Sequence, residues 1–204
     1  MPGLFVTFEG IDRSGKTTQA RLLVEALGAD AVAVREPGGT PFGERVRELL
    51  KDPDAQIGPH AEALLFAAAR AELCRQVIRP ALARGRVVVS DRFLDSSLAY
   101  QGAARGLGVD EVLEINRWAT EGLLPDLTIL LTIDPFAAAR RAGEVDRFEG
   151  EGTALQERVR AAYEQLAEAE PGRFRRVDAN RPAKEVHGDV IALVGAARAG
   201  VPAA

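Results

Sequence analysis

Cysteine is almost absent from this chain: Cys74 is the only one in 204 residues. A single thiol cannot close an internal disulfide, so a reducing cytoplasm is the expected location. Histidine is nearly as scarce. His60 and His187 have no second histidine or cysteine at metal-ligand spacing, which argues against a zinc site. No apolar run approaches the length of a membrane span. The opening "MPGLFVTFEG" also lacks the basic, apolar and small-residue order of a secretory signal, so no membrane partner is expected. Basic residues are not in excess either: the net charge is −4 and the isoelectric point about 5.4. That balance disfavours nucleic acid as a partner, which calls for a basic face. Within the basic set lysine occurs only at Lys16, Lys51 and Lys184. Lys16 therefore stands out.

What is present is a regular alternation of strand-like and helix-like segments. Strands are expected at 4–9, 31–36, 87–91, 127–134 and 174–179, the second and fifth carrying the weaker pattern. Helical patterns fill 17–27, 41–51, 60–84, 96–121 (broken at "GLG"), 135–142, 153–169 and 183–197. The run "LTILLTI" (127–133) is apolar nearly all round, as a strand covered on both faces should be. The alternation predicts an α/β fold with a parallel sheet wrapped by helices and ligands at the carboxyl ends of its strands. No internal repeat or linker interrupts it, so residues 1–204 are expected to form a single domain.

Gly10 to Thr17 reads G-I-D-R-S-G-K-T, which fits G-x-x-x-x-G-K-[ST] at every fixed position and lies between a strand and a helix. Glycines at such spacing let backbone N–H groups turn inward around phosphate oxygens, and the following helix adds its positive end. Gly10, Ile11, Asp12, Arg13, Ser14, Gly15, Lys16 and Thr17 are thus expected to bind a nucleoside triphosphate. Lys16 reaches the β- and γ-phosphates, and the Thr17 hydroxyl takes a place on Mg²⁺. Two apolar runs end in aspartate. Asp134 precedes a proline and a helical pattern, which reads as a helix cap. Asp91, in "VVVSDRF", is the expected Mg²⁺-side carboxylate, acting through water. Neither run continues into a second acid that would activate water. Transfer to another acceptor is favoured over hydrolysis.

The block "SDRFLDSSLAYQG" (90–102) resembles the signature of thymidylate kinases, and "REPGGT" (35–40), "LLFAAAR" (64–70) and "DRFE" (146–149) resemble stretches of bacterial members. The resemblance spans essentially the whole chain. It implies transfer of the γ-phosphoryl of ATP to dTMP with Mg²⁺, giving dTDP and ADP for dTTP biosynthesis. It also implies a P-loop kinase architecture with a five-stranded parallel sheet, helices on both faces, a lid at about 140–152, and a homodimer. Under this resemblance Arg92, with Arg35, reaches the acceptor phosphate, although Arg35 also reads as a surface partner of Glu36 or Glu44. Phe66 and Arg70, four apart on one helical face, stack the thymine and bond its carbonyl edge. Without the resemblance Phe66 reads as core. Ser97 contacts the base, Tyr100 crowds a 2′-hydroxyl with Gln101 beside it, and Pro37 walls the thymine methyl. Asp12 lies near the acceptor's 3′-hydroxyl and phosphate, which accounts for an acid inside an anion-binding loop.

The expected catalytic set is Lys16, Arg13, Arg92 and Asp91. Arginine at the transition state has two possible sources, Arg13 in the loop or Arg140 and Arg141 at the lid. Arg147 is expected to hold ATP. Two other functions fit part of the pattern: a deoxynucleoside kinase using Glu36 as a base, and a non-catalytic protein that closes on ATP. Trp118 reads as core or dimer contact, and Cys74 as buried filler.

Overall fold

The computed structural model of the chain describes residues 3–141 and 152–200. Five strands, β1 (Leu4–Glu9), β2 (Ala31–Arg35), β3 (Val87–Asp91), β4 (Leu127–Thr132) and β5 (Phe174–Asp178), form one sheet in the order β2-β3-β1-β4-β5. All four pairings are parallel, with Val6 opposite Val89 on one side and Leu127 on the other. The helices are α1 (Lys16–Leu27), α2 (Pro41–Lys51), α3 (Pro59–Leu73), α4 (Arg79–Ala83), α5 (Leu94–Ser97), α6 (Val109–Ala119), α7 (Pro135–Ala139), α8 (Thr153–Ala169) and α9 (Ala183–Arg198). The expected five-stranded parallel sheet with flanking helices is what the chain forms.

Strand alternation sends apolar side chains to both faces. Val6, Phe8, Val87 and Val89 join a core with Leu23 of α1, Val159 of α8 and Val190 of α9. Phe5 and Val88 join a second core with Leu73 of α3 and Val112 of α6. The two weaker strand patterns, β2 and β5, are the two edges of the sheet. Edge strands are half solvated, which is why their apolar signal is thinner.

The expected helix 60–84 is continuous but not uniform: a wider π-helical turn, Cys74–Ile78, separates α3 from α4. A second π-helical stretch, Leu98–Ala104, continues α5, and the helix is interrupted at "GLG" before α6, as expected. The π-helical stretch carries Tyr100 and Gln101, and such turns often occur where a side chain must be re-aimed. The strand 127–134 stops at Thr132 because Asp134 caps α7. Its Oδ1 accepts from Phe136 N at 2.9 Å and Ala137 N at 3.1 Å.

α5 is held in place by a buried ion pair. Arg173 donates from Nη1 to Asp95 Oδ2 at 2.6 Å and from Nη2 to Asp95 Oδ1 at 2.7 Å. This two-pronged bond ties the start of β5 to the helix that presents Ser96 and Ser97. Trp118, by contrast, is 86% exposed, so it is not core.

Candidate active site

The carboxyl ends of β1, β2 and β3 open on one cavity of about 660 Å³. Its lining includes Asp12, Arg13, Gly15, Lys16 and Thr17 from the glycine loop, and Arg35, Glu36 and Pro37 after β2. Phe66 and Arg70 come from α3, and Asp91, Arg92, Ser96, Ser97, Tyr100 and Gln101 from β3 onward. Ten site residues expected outside the glycine loop are therefore brought together with it, save Arg147, which lies outside the described residues. The lid stretch is likewise described only at its ends.

The loop takes its shape from left-handed backbone. Gly10, Arg13 and Gly15 have φ of 138°, 60° and 102°. A Cβ on Gly10 would come within 2.6 Å of Leu131 O on the neighbouring strand, so no other residue fits there. Lys16 curls back over the loop, its Nζ donating to Gly10 O at 3.0 Å, Ile11 O at 2.6 Å and Ser14 Oγ at 3.3 Å. Burial, aided by the positive Arg92, pushes the Lys16 ammonium down to about 8. Thr17 Oγ1 donates to Asp91 Oδ2 at 2.5 Å. A hydroxyl and a carboxylate side by side supply hard oxygens of the kind Mg²⁺ takes alongside phosphates. Among the described residues no group of three or more His, Cys, Asp or Glu could hold a metal without such help. The donor set fits an ion carried in with a nucleotide.

Arg92 follows β3 with φ of 72°, an unusual backbone for a side chain this long. Three bonds hold that turn: Arg92 N donates to Phe8 O at 3.0 Å, Ser90 Oγ to Arg92 O at 2.5 Å, and Phe93 N to Glu9 Oε1 at 2.8 Å. The guanidinium pairs with Asp12 Oδ1, donates to Ser96 Oγ at 3.1 Å and sits 5.2 Å from the Tyr100 ring centre. Burial disfavours the Asp12 charge, but Arg92 and Lys16 outweigh it and hold the carboxyl below the ordinary range. Glu9 was not singled out in the sequence, where it reads only as the end of a strand. It is fully buried, and its Oε2 accepts from Ser96 Oγ and Tyr163 Oη, both at 2.7 Å. Burial and the nearby Asp95 push its carboxyl up to about 7.

At the far end of the cavity Arg70 is 1% exposed and spends all five of its N–H donors on the protein. Nε and Nη2 reach Glu36 Oε2 at 2.8 and 2.5 Å, the second Nη2 bond goes to Phe93 O at 3.1 Å, and Nη1 meets Ser97 Oγ at 3.1 Å and Asn116. Any base edge read by Arg70 must share one of these donors. Glu36 is thereby committed as the counter-ion of Arg70, with its own pKa raised by burial against that attraction. A base role for Glu36 on a sugar hydroxyl loses its support. Phe66 is half-buried beside Leu50 and Ala69 while also lining the cavity. Gln101 donates to Glu62 Oε1 at 2.9 Å.

Arg35 is exposed and donates to Glu44 Oε2 at 2.9 Å, the surface pairing that its sequence context also allowed. Arg13 donates from Nη1 to Ala139 O at 3.2 Å and Arg141 O at 3.3 Å. Arg141 returns the contact, bonding Arg13 O, Ser14 O and Ala179 O. The loop and the end of α7 are thus laced together. Arg47, Lys51 and Arg141 also line the cavity. Arg141 is one of the lid arginines the sequence offered, whereas the neighbours of Arg47 and Lys51 gave no motif that could have found them.

A family model described as thymidylate kinase matches residues 8–190. The chain is 53% identical over 196 residues to a thymidylate kinase of Leifsonia xyli, covering 93% of each chain. It is 48% identical over 198 residues to a thymidylate kinase of Deinococcus radiodurans, covering 94% of this chain and 96% of that one. Its fold is similar to the crystal structure of thymidylate kinase from Ehrlichia chaffeensis, with a TM-score of 0.79, 32% identity, and coverage of 95% of this chain and 99% of that one.

Proposed function

The chain belongs to the thymidylate kinase family, and we propose that Lys16, Arg13, Arg92 and Asp91 carry out its phosphorylation of dTMP to dTDP with ATP as donor. The observation that carries this assignment is the single cavity with a phosphate-binding loop at one end and Phe66 and Arg70 at the other. Arg92 and Asp12 stand between them.

The acceptor phosphate of dTMP is largely dianionic at neutral pH, since a phosphate monoester has a second pKa of about 6. No strong general base is needed. What is needed is positive charge that neutralises two polyanions and the transferring group between them. Lys16 leaves the loop carbonyls for the β- and γ-phosphates, and its ammonium is charged at neutral pH. Arg92 holds the acceptor phosphate, with Arg35 beside it once released from Glu44. Arg13 stabilises the charge that develops in transfer, exchanging the Ala139 and Arg141 carbonyls for phosphate oxygen. Thr17 and Asp91, through water, would hold Mg²⁺, which neutralises phosphate charge when bound with ATP.

Phe66 stacks the thymine, Arg70 and Ser97 bond its edge, and Pro37 walls its methyl. Tyr100 crowds a 2′-hydroxyl, with Gln101 behind it. Residues 1–204 act as one P-loop kinase domain, with Arg147 in the lid over ATP. A homodimer is supported by exposed apolar side chains on α2, α3 and α6, namely Phe42, Leu49, Leu64 and Trp118; α3 packs against both other helices. A cytoplasmic location is supported by the lone cysteine, whose buried thiol is pushed up to about 12. No helix among the described residues is long and apolar enough to cross a membrane.

Phe66→Ala and Arg70→Ala test the acceptor assignment. Each should raise the KM for dTMP far more than the KM for ATP. Wild-type dTMP affinity in both variants would remove that end of the cavity from the acceptor site.

A further inference from the structure

The Asp12–Arg92 pair has a third member. Gln156 stands in the first turn of α8, half-buried between the core residues Leu155 and Val159. Its Oε1 accepts from the Asp12 backbone N–H at 3.1 Å, and its Nε2 donates to Asp12 Oδ2 at 2.7 Å. Asp12 Oδ1 is left for Arg92 Nη2.

We propose that Gln156 is a positioning residue for the acceptor phosphate, fixing the Asp12 carboxylate so that it holds Arg92 by one oxygen only. This rests on the reading of Arg92 as the residue that holds the acceptor phosphate. Bridging a backbone N–H and a carboxylate oxygen of the same residue takes a side chain that accepts and donates at once. A primary amide does this without adding charge. The amide is aimed by a helix whose neighbouring side chains, Leu155 and Val159, are locked in the core.

The consequence falls on Arg92. While Gln156 occupies Oδ2, Arg92 meets one oxygen of Asp12, with Nη1 on Ser96 Oγ. Without the amide, Asp12 can turn and take the guanidinium with both oxygens, the stronger fork-shaped pairing. Arg92 would then be drawn off the phosphate. The one glycine-loop group that Gln156 touches besides the Asp12 carboxylate is the Asp12 N–H, which its amide oxygen already occupies, so its loss should act mainly on the acceptor.

Gln156→Ala should raise the KM for dTMP about tenfold, the scale of one hydrogen bond to a charged group. The KM for ATP and the Tm should stay near wild type. Gln156→Glu gives a readout that a merely structural role would not move. Its new carboxyl faces Asp12, with Arg92, Lys16 and Tyr100 the other charged or titratable groups around that acid. As the pH falls from about 7 to about 5, the introduced carboxyl, raised by the Asp12 charge that it faces, can take up a proton and donate in place of the amide N–H. The ratio of its dTMP KM to that of wild type should therefore shrink toward one, while the ratio for Gln156→Ala stays level.

Arg92→Lys separates the two ways of failing. An unchanged dTMP KM in Arg92→Lys would take Arg92 off the phosphate and the proposal with it. A raised KM there with wild-type values in Gln156→Ala would overturn the role of Gln156 alone. Parallel rises in both KM values with a lowered Tm in Gln156→Ala would make it a folding residue and also overturn the proposal.

Discussion

Glu36→Ala removes the carboxylate on which Arg70 places two of its five N–H donors, at 2.8 and 2.5 Å. Glu36 is 6% exposed and Arg70 1%, so solvent cannot easily replace the lost oxygen. Removing one partner of a buried ion pair costs about 3–5 kcal/mol. For a chain of this length each kcal/mol lowers Tm by about 2–4 °C, so a fall of about 6–20 °C is expected. Glu36→Gln keeps one acceptor for the guanidinium, and its cost should drop to about 1.5–3 kcal/mol, the worth of a hydrogen bond to a charged group. The same guanidinium also bonds Ser97 and the Phe93 carbonyl. Loosening it should therefore raise the KM for dTMP several-fold and leave the KM for ATP unchanged. Thermal unfolding and initial rates at varied dTMP and varied ATP measure both effects. A Glu36→Ala protein with wild-type Tm and wild-type dTMP KM would show that Arg70 is not committed to Glu36 as described.

Lys16→Met should lower turnover by about 10²–10³, the usual cost of one electrostatic stabiliser, in a protein that still folds; near-normal turnover would mean the loop does not hold the migrating phosphoryl. Arg13→Ala should lower turnover with little change in either KM, whereas Arg141→Ala, which frees the loop carbonyls it bonds, should raise the KM for ATP. Normal turnover in Arg13→Ala with collapse in Arg140→Ala or Arg141→Ala would assign the transition-state arginine to the lid. Glu9 sets a pH dependence of stability: with its carboxyl raised from 4.5 to about 7, the folded protein holds a proton that the unfolded chain releases. Stability should then decline as the pH rises through that window, and Glu9→Gln should remove on the order of 3 kcal/mol of that decline. Urea midpoints at both ends of the window measure it, and identical slopes for the two proteins would contradict the burial of an acid there.

The parts of this molecule that could be read from sequence are those whose chemistry is local in the chain. Gly10 to Thr17 carries its spacing and flanking strand and helix within a dozen residues. Asp91 and Asp134 could be told apart because a following proline marks a cap, and the structure gives one to Thr17 and the other to a helix end. The functional partners missed are long-range. Gln156 lies in what reads as an ordinary amphipathic helix, and nothing near it announces Asp12 at the other end of the chain. Glu9 looks like the polar end of a strand until Ser96 and Tyr163 are seen closing over it. The commitment of Arg70 to Glu36 was hidden because a charged residue on a helix gives no sign of how deeply it is buried. The π-helical turns were invisible for a different reason: a local change of backbone bonding to i→i+5 needs no particular residue type, so 60–84 still reads as one helix. Trp118 was ambiguous because core and interface draw on the same residue types.

Supplying ATP and Mg²⁺ with dTMP, with thymidine or with no acceptor, and counting ADP and phosphorylated product, tests the central claim most directly. A cavity that joins a triphosphate loop to an arginine-held acceptor phosphate requires ADP and dTDP in equal amounts with dTMP, and almost no ADP otherwise. Comparable ADP formation with thymidine, or without any acceptor, would contradict the assignment of Arg92 to an acceptor phosphate and with it the reading of the site.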